Sequence, residues 1–116
     1  MQKILLIIFF ALSLAATAQK NELTELKIKT SAQCEMCKDR IEKAMAFERG
    51  VKNSLLDLET KVLTVSYLKS RTTPDKIRKA VAAVGYDADD VPADAKAYAS
   101  LPPCCKKPDD PDHVDH

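Results

Sequence analysis

Apolar and polar residues alternate along three short segments of the chain, and this alternation is typical of β-strands with one buried face. The segments lie at residues 24–30, 52–58 and 61–68. In the third, Leu63, Val65 and Tyr67 fall on one side of the strand. A fourth, short strand is predicted at 87–91, where three aspartates weaken the pattern.

Two other segments repeat apolar residues every three or four positions, which predicts amphipathic helices. The first runs over residues 35–47 and places on one face Cys37, Ile41, Ala44 and Met45. The second starts at Pro74, has Thr73 as a suitable N-cap and ends before Gly85. The order of elements predicts an α+β fold of the ferredoxin-like type, a βαββαβ sandwich spanning residues 24–91.

Residues 1–18 have the pattern of a cleaved export signal. Lys3 precedes an apolar run from Ile4 to Leu14, and Ala16-Thr17-Ala18 fits a cleavage site. The apolar run is shorter than the roughly 20 residues that a membrane-spanning helix needs. We therefore expect an exported protein, periplasmic or secreted, whose mature form does not span a membrane.

The chain continues beyond the predicted sandwich in an extension over residues 92–105. A short helix is predicted at 93–100, and the extension ends in the adjacent pair Cys104 and Cys105. Residues 106–116 are polar and rich in Asp and Pro, which predicts a disordered tail. The two histidines of this tail are expected to be solvated rather than to act as ligands.

The charge balance excludes some classes of partner. The chain has 18 basic and 17 acidic residues, and removing the one basic residue of the signal leaves 17 of each. A net charge of zero without a basic patch argues against a nucleic-acid partner. No Ser-His-Asp arrangement stands out, and two glycines are too few for a phosphate-binding loop. We therefore expect a binding protein and not an enzyme.

The candidate chemistry lies in the motif Cys34-Glu35-Met36-Cys37, where a loop meets the first helix. Free N–H groups and the positive end of the helix dipole stabilise thiolates at this position. Paired thiolates bind soft metal ions. The motif alone also fits structural zinc sites and thiol oxidoreductases. The adjacent second Cys pair does not have zinc-ribbon spacing, and an oxidoreductase using Cys34 and Cys37 remains the alternative.

From Thr24 to Ala88 the chain resembles the heavy-metal-associated domain family, which includes copper chaperones and periplasmic mercury-binding proteins. The resemblance is carried by Cys34-x-x-Cys37, Ile41-Glu42-Lys43-Ala44, Gly50-Val51, Asp57-Leu58-Glu59-Thr60-Lys61, Val65-Ser66-Tyr67, Thr73-Pro74, Ile77 and Gly85-Tyr86-Asp87-Ala88. It implies the same βαββαβ sandwich, metal binding at Cys34 and Cys37, and a position for Tyr86 close to the metal. Tyr86 is also expected to cap the core.

One departure from the family pattern precedes the motif. Where the family has Gly-Met followed by Thr or His, this chain has Ser31-Ala32-Gln33. In the family the Met packs under the metal loop. The smaller Ala32 predicts a loop that is more mobile or packed differently.

The extension is long enough to return Cys104 and Cys105 to the first pair. A helix over 93–100 spans about 12 Å at about 1.5 Å per residue, and the next three or four extended residues add about 10 Å. We therefore hypothesise that Cys34, Cys37, Cys104 and Cys105 form one metal site. An independent second site, a disulfide between the pairs and a flexible redundant pair remain open.

These observations predict a soft-metal carrier, chaperone or detoxification protein. The expected ion is Cu(I), with Zn(II), Cd(II) and Hg(II) as further candidates. The expected partner is a membrane metal transporter that acts as donor or acceptor. The alternative function is a periplasmic thiol–disulfide oxidoreductase.

Overall fold

A three-stranded antiparallel sheet and two helices form the body of the protein in a computed structural model, which describes residues 22–115. The strands are β1 (Leu23–Lys29), β2 (Val51–Asp57) and β3 (Val62–Leu68), and the helices are α1 (Glu35–Phe47) and α2 (Pro74–Ala83). The sheet order is β1-β3-β2. The predicted signal at residues 1–18 lies outside the described residues.

The core lies between the sheet and the helices. On the central strand Leu63, Val65 and Tyr67 are buried, as their alternation predicts. Leu63 is paired with Ile28 on one side and Leu56 on the other. These side chains belong to one cluster with the buried faces of the helices, which consist of Cys37, Ile41, Met45, Ile77 and Val81. The predicted α+β sandwich is confirmed.

The helix starts follow from their sequences. The Thr73 hydroxyl accepts a hydrogen bond from the Lys76 amide at 3.3 Å, and Pro74 occupies the first turn of α2. Cys34 is the residue before α1; its backbone is extended and its side chain makes no capping hydrogen bond. The Cys34 sulfur is therefore not engaged in closing the helix end.

The predicted fourth strand is absent from the sheet of the described residues. Only isolated bridges pair Thr30 with Ala88 and Ala88 with Val91. The aspartates of this segment bond to other partners: Asp89 adopts φ 52° and accepts a hydrogen bond from the Lys29 amide, while Asp87 accepts one from the Ala93 amide. The chain consequently turns out of the sheet at this point.

The extension then packs back over the end of α2. Asp94 caps a short helix, α3 (Ala95–Ala99), which lies within the segment that the sequence predicts to be helical. Gly85 has φ 103°, and a Cβ built on it would lie 3.1 Å from the Ala97 carbonyl carbon and oxygen, so glycine suits both the backbone and this close approach. Beyond α3, Leu101 is buried in the core and a 3₁₀ turn, Pro103–Cys105, follows.

Residues 106–115 differ from the predicted disordered tail, because the structure gives them defined contacts. The Tyr98 hydroxyl donates to the Asp110 carboxylate at 2.7 Å and accepts from the Lys107 amide at 3.0 Å. The Val114 amide donates to the Pro103 carbonyl at 3.2 Å. Polar composition predicts disorder when no apolar surface is buried, but here Tyr98 supplies a polar anchor in the preceding helix.

No helix within residues 22–115 has the length and apolar character needed to cross a membrane.

Candidate metal centre

Cys34 and Cys37 lie at the start of α1 with their sulfurs 3.4 Å apart. Cys34 is half-buried, whereas Cys37, in the first helical turn, is buried in the core. The two thiols therefore lie at the surface and just beneath it, at the helix end where the dipole favours negative charge.

The second cysteine pair reaches the same place from the other end of the chain. The Cys34 sulfur lies 3.5 Å from the Cys104 sulfur and 3.6 Å from the Cys105 sulfur. Cys104 and Cys105 have their sulfurs 4.0 Å apart. All four residues are free thiols. The structure thus brings together the four cysteines that the sequence singles out as candidate ligands.

Cys105 is part of the core as well as of the cluster, with 1% of its surface exposed. Burial raises the pKa of its thiol, and the neighbouring thiols of Cys37 and Cys34 raise it further, against an opposing effect of Tyr86. A metal ion that binds this sulfur must displace its proton.

Tyr86 lies beneath the cluster. Its ring is fully buried in the core, and its hydroxyl makes no hydrogen bond of regular geometry. Burial raises the pKa of Tyr86, and the adjacent Cys37 and Cys105 thiols add to this effect. The residue therefore caps the core and lies beside two of the sulfurs, which are the two positions expected for it.

Met36 adds a fifth sulfur beside the cluster. Its thioether sulfur lies 3.6 Å from the Cys104 sulfur, and the residue is 42% exposed. Its place inside the Cys-x-x-Cys motif is the only sequence signal for this contact, because the partner is 68 positions away. Met45, by contrast, is a buried core residue, as its helical spacing predicts.

The loop before the motif is held by several hydrogen bonds. Ala32 is fully buried and its amide donates to the Thr30 hydroxyl at 3.3 Å. The Ser31 hydroxyl accepts from the Asp87 amide at 2.9 Å, and the Gln33 side chain accepts from Lys61 at 3.2 Å. Ala32 and Cys105 belong to the same core cluster, so the loop and the extension share one core.

His113 is not part of the cluster. Its Nδ1 lies 2.7 Å from the Lys106 carbonyl oxygen and its Nε2 lies 2.7 Å from the Asp115 carboxylate. Within residues 22–115, the candidate metal-ligating group consists of cysteines alone. His116 lies outside the described residues. A site made only of thiols, with a thioether beside it, has the chemistry of a soft-metal site.

Comparison with known proteins agrees with this chemistry. Residues 31–87 match the heavy-metal-associated domain family. A copper-exporting P-type ATPase of Staphylococcus saprophyticus is 37% identical over 68 residues, which are 59% of this chain and 8% of the ATPase. The chain thus corresponds to a small part of that relative.

Solved structures have the same fold. A CopZ metallochaperone superimposes with a TM-score of 0.54 at 24% identity, covering 56% of this chain and 98% of its own. Oxidized MerP from Ralstonia metallidurans CH34 gives a TM-score of 0.50 at 25% identity, covering 57% and 96%. The sequence match and the fold together identify residues 31–87 of this chain as a heavy-metal-associated domain.

Proposed function

We propose that this is an exported soft-metal-binding protein, a carrier or detoxification protein that holds its ion through the thiolates of Cys34, Cys37, Cys104 and Cys105. The observation that carries the proposal is the meeting of four free thiols from opposite ends of the chain. Copper is the favoured cargo, as Cu(I), because thiolate and thioether sulfurs prefer soft ions. The names of the copper-exporting relative and the metallochaperone support the same choice. Zn(II), Cd(II) and Hg(II) are the competing ions.

The burial of the four cysteines suggests how an ion enters. Cys34 and Cys104 are half-buried and form the accessible side, whereas Cys37 and Cys105 are buried beneath them. An incoming ion exchanges its ligands first with the accessible pair and then with the inner pair. Release to a membrane metal transporter follows the same order in reverse, through intermediates that share the ion between the thiols of both proteins.

Location outside the cytoplasm rests on the export pattern of residues 1–18. An exported carrier would collect ions at the outer face of the membrane or deliver them there. Expression with a C-terminal reporter, followed by fractionation, tests this part. A signal cut after Ala18 gives a mature N-terminus at Gln19, whereas retention of the full chain in the cytoplasm contradicts export.

Metal analysis of the reduced protein tests the binding function. We expect tight binding of Cu(I) in competition with a chromophoric chelator, and an X-ray absorption spectrum dominated by sulfur ligands. The double variant Cys34→Ser, Cys37→Ser should lose this binding, while Ser54→Ala, a change in β2, should keep it. Binding that is unaffected by the double variant would refute the proposal.

A disulfide-reduction assay on the same reduced protein distinguishes a carrier from an oxidoreductase. A carrier has little activity in a disulfide-reduction assay, since its thiols are used for ligation. Turnover at Cys34 and Cys37, with a potential between about −270 and −120 mV, would instead identify an oxidoreductase.

A further inference from the structure

The sulfurs are arranged around Cys34 rather than around an empty centre. Three other cysteine sulfurs lie 3.4, 3.5 and 3.6 Å from the Cys34 sulfur, from Cys37, Cys104 and Cys105 respectively. Among the described residues, the sulfurs of Cys34, Cys104 and Cys105 form a group within 4.8 Å of one another, and Cys37 is not a member of it. Cys37 lies outside this group, with its sulfur 3.4 Å from that of Cys34.

This arrangement differs from that of a single tetrahedral ion. Four thiolates at about 2.3 Å from one ion have all six sulfur–sulfur separations near about 3.8 Å. A two-coordinate ion between Cys34 and Cys37 would need about 4.6 Å between their sulfurs, against the observed 3.4 Å. The Cys34 sulfur instead belongs both to the triangle with Cys104 and Cys105 and to a close pair with Cys37.

The triangle of Cys34, Cys104 and Cys105 has the size of a three-thiolate site. A point equidistant from the sulfurs of Cys34, Cys104 and Cys105, with sides of 3.5, 3.6 and 4.0 Å, lies about 2.2 Å from each, near the length of about 2.3 Å of a metal–thiolate bond. The sulfurs of Cys37 and Cys105 lie 3.4 and 3.6 Å from the Cys34 sulfur, so these three thiols provide a second set of ligands. The thioether of Met36 lies beside the triangle, 3.6 Å from Cys104, as an additional soft donor.

We propose that the cluster binds two monovalent soft ions in one chain, with the thiolates of Cys34 and Cys105 bridging them. Cys104 is the terminal ligand of one ion, with Met36 in support, and Cys37 is the terminal ligand of the other. This inference rests on the proposed soft-metal function and specifies its cargo as a Cu(I) pair. With the bridging sulfurs 3.6 Å apart, the two ions are about 2.9 Å apart for bonds of about 2.3 Å.

The net charge of the four thiolates favours binding of a second ion. Four thiolates around one Cu(I) leave three negative charges, and a second Cu(I) reduces these to two. Cys37 and Cys105 are buried among core side chains, where uncompensated charge is costly. The proton of each thiol leaves to solvent as its sulfur binds an ion, and no change of oxidation state is involved.

Anaerobic titration of the reduced chain with Cu(I), followed by native mass spectrometry and X-ray absorption, tests the proposal. We expect saturation at two Cu(I) per monomer and a copper–copper distance near about 2.9 Å. Saturation at one Cu(I) bound by sulfur overturns this inference but leaves the soft-metal function intact. Two ions that appear only in a dimer also overturn it, and no tight binding of any soft ion overturns both proposals.

Three single variants test the bridge. Cys37→Ser and Cys104→Ser each remove a terminal ligand and should each leave one tightly bound Cu(I). Cys34→Ser removes a bridging ligand and should lower the binding affinity for both ions by at least tenfold. If replacing the buried Cys37 prevents folding, the Cys104 variant still tests the loss of a terminal ligand, because Cys104 is half-buried. Equal stoichiometry in all three variants contradicts the bridged arrangement.

Discussion

The Cys34 and Cys104 sulfurs lie 3.5 Å apart although the two residues are 70 positions apart in the chain. The contact joins the start of the first helix to the end of the extension, and it places a second thiol at the mouth of the site. Because these two cysteines are the half-buried members of the four, they are also the thiols that solvent reagents reach first.

This proximity can be tested without metal. In the double variant Cys37→Ser, Cys105→Ser, the two remaining cysteines should form one intramolecular disulfide rapidly under mild oxidation, since only a small movement brings the sulfurs to about 2.05 Å. Peptide mapping should show Cys34 linked to Cys104. The same oxidation in denaturant is the control and should be slower, and equal rates would contradict the docked extension.

Tyr86→Phe should affect the metal-free and the loaded protein in opposite directions. The buried Tyr86 hydroxyl lacks a regular hydrogen bond, so its removal should raise the free energy of unfolding of the metal-free protein by about 1 kcal/mol. In the loaded protein the hydroxyl can donate to the thiolates of Cys37 and Cys105, so the variant should bind Cu(I) more weakly. Urea unfolding and chelator competition measure the two effects.

Tyr98→Phe is the matched control for that experiment. The Tyr98 hydroxyl has two regular partners, Asp110 and the Lys107 amide. Its loss should lower the free energy of unfolding by about 1 kcal/mol and speed amide exchange at Lys107. If both Tyr→Phe variants were destabilised equally, the Tyr86 hydroxyl would be shown to have a partner.

Gly85→Ala should loosen the extension. Gly85 has φ 103°, and an added methyl group would lie 3.1 Å from the Ala97 carbonyl. The left-handed backbone alone should cost about 1–2 kcal/mol, and the clash should increase proteolysis within 92–105. Gly50→Ala is the control, with φ 83° and its contact at Thr72 instead. It should lose stability without exposing the extension, and equal proteolysis of both variants would refute the expectation.

The ion pair of Lys107 with Asp87, 2.7 Å long, should make tail docking sensitive to acid. Burial alone would raise the pKa of Asp87, but Lys107 and the Ala93 amide outweigh it and hold the pKa below its usual value. A lowered carboxyl pKa contributes stability that is present above the unfolded pKa of about 3.9. This contribution is lost as pH falls through the lower folded pKa.

Urea unfolding of Asp87→Asn across pH 2–6 measures this contribution. The variant should be less stable than the parent at pH 6, and the difference should shrink below about pH 4. Glu25→Gln, an exposed change on β1, is the control and should not alter the pH profile. A difference that stays constant with pH would show that the ion pair has no role.

The strands and helices could be predicted from the sequence because their signals are local. Alternation at Leu63, Val65 and Tyr67 and helical spacing at Ile41 and Met45 specify which faces are buried, and the structure confirms both. The prediction of a fourth strand at 87–91 was wrong for a physical reason. Its aspartates bond to the Lys29 and Ala93 amides, and these partners are distant in the sequence or lie in the following loop.

The site was predictable only in part. Placing Cys34 and Cys37 at a helix start needs local pattern alone, and the length of the extension makes a return of Cys104 and Cys105 geometrically feasible. The contacts of Met36 with Cys104 and of Tyr98 with the tail depend on how the extension docks. No residue pattern within the Cys-x-x-Cys motif, the extension or the tail predicts that docking.

Cys105 belongs at once to the hydrophobic core and to the thiol cluster. An ion bound to its sulfur would therefore stabilise the fold, and at a free ion concentration of 100 times the dissociation constant the gain would be about 2.7 kcal/mol. Loading and melting temperature thus rise together. Under the proposed function, the melting temperature of the protein would report what fraction of its sites holds metal.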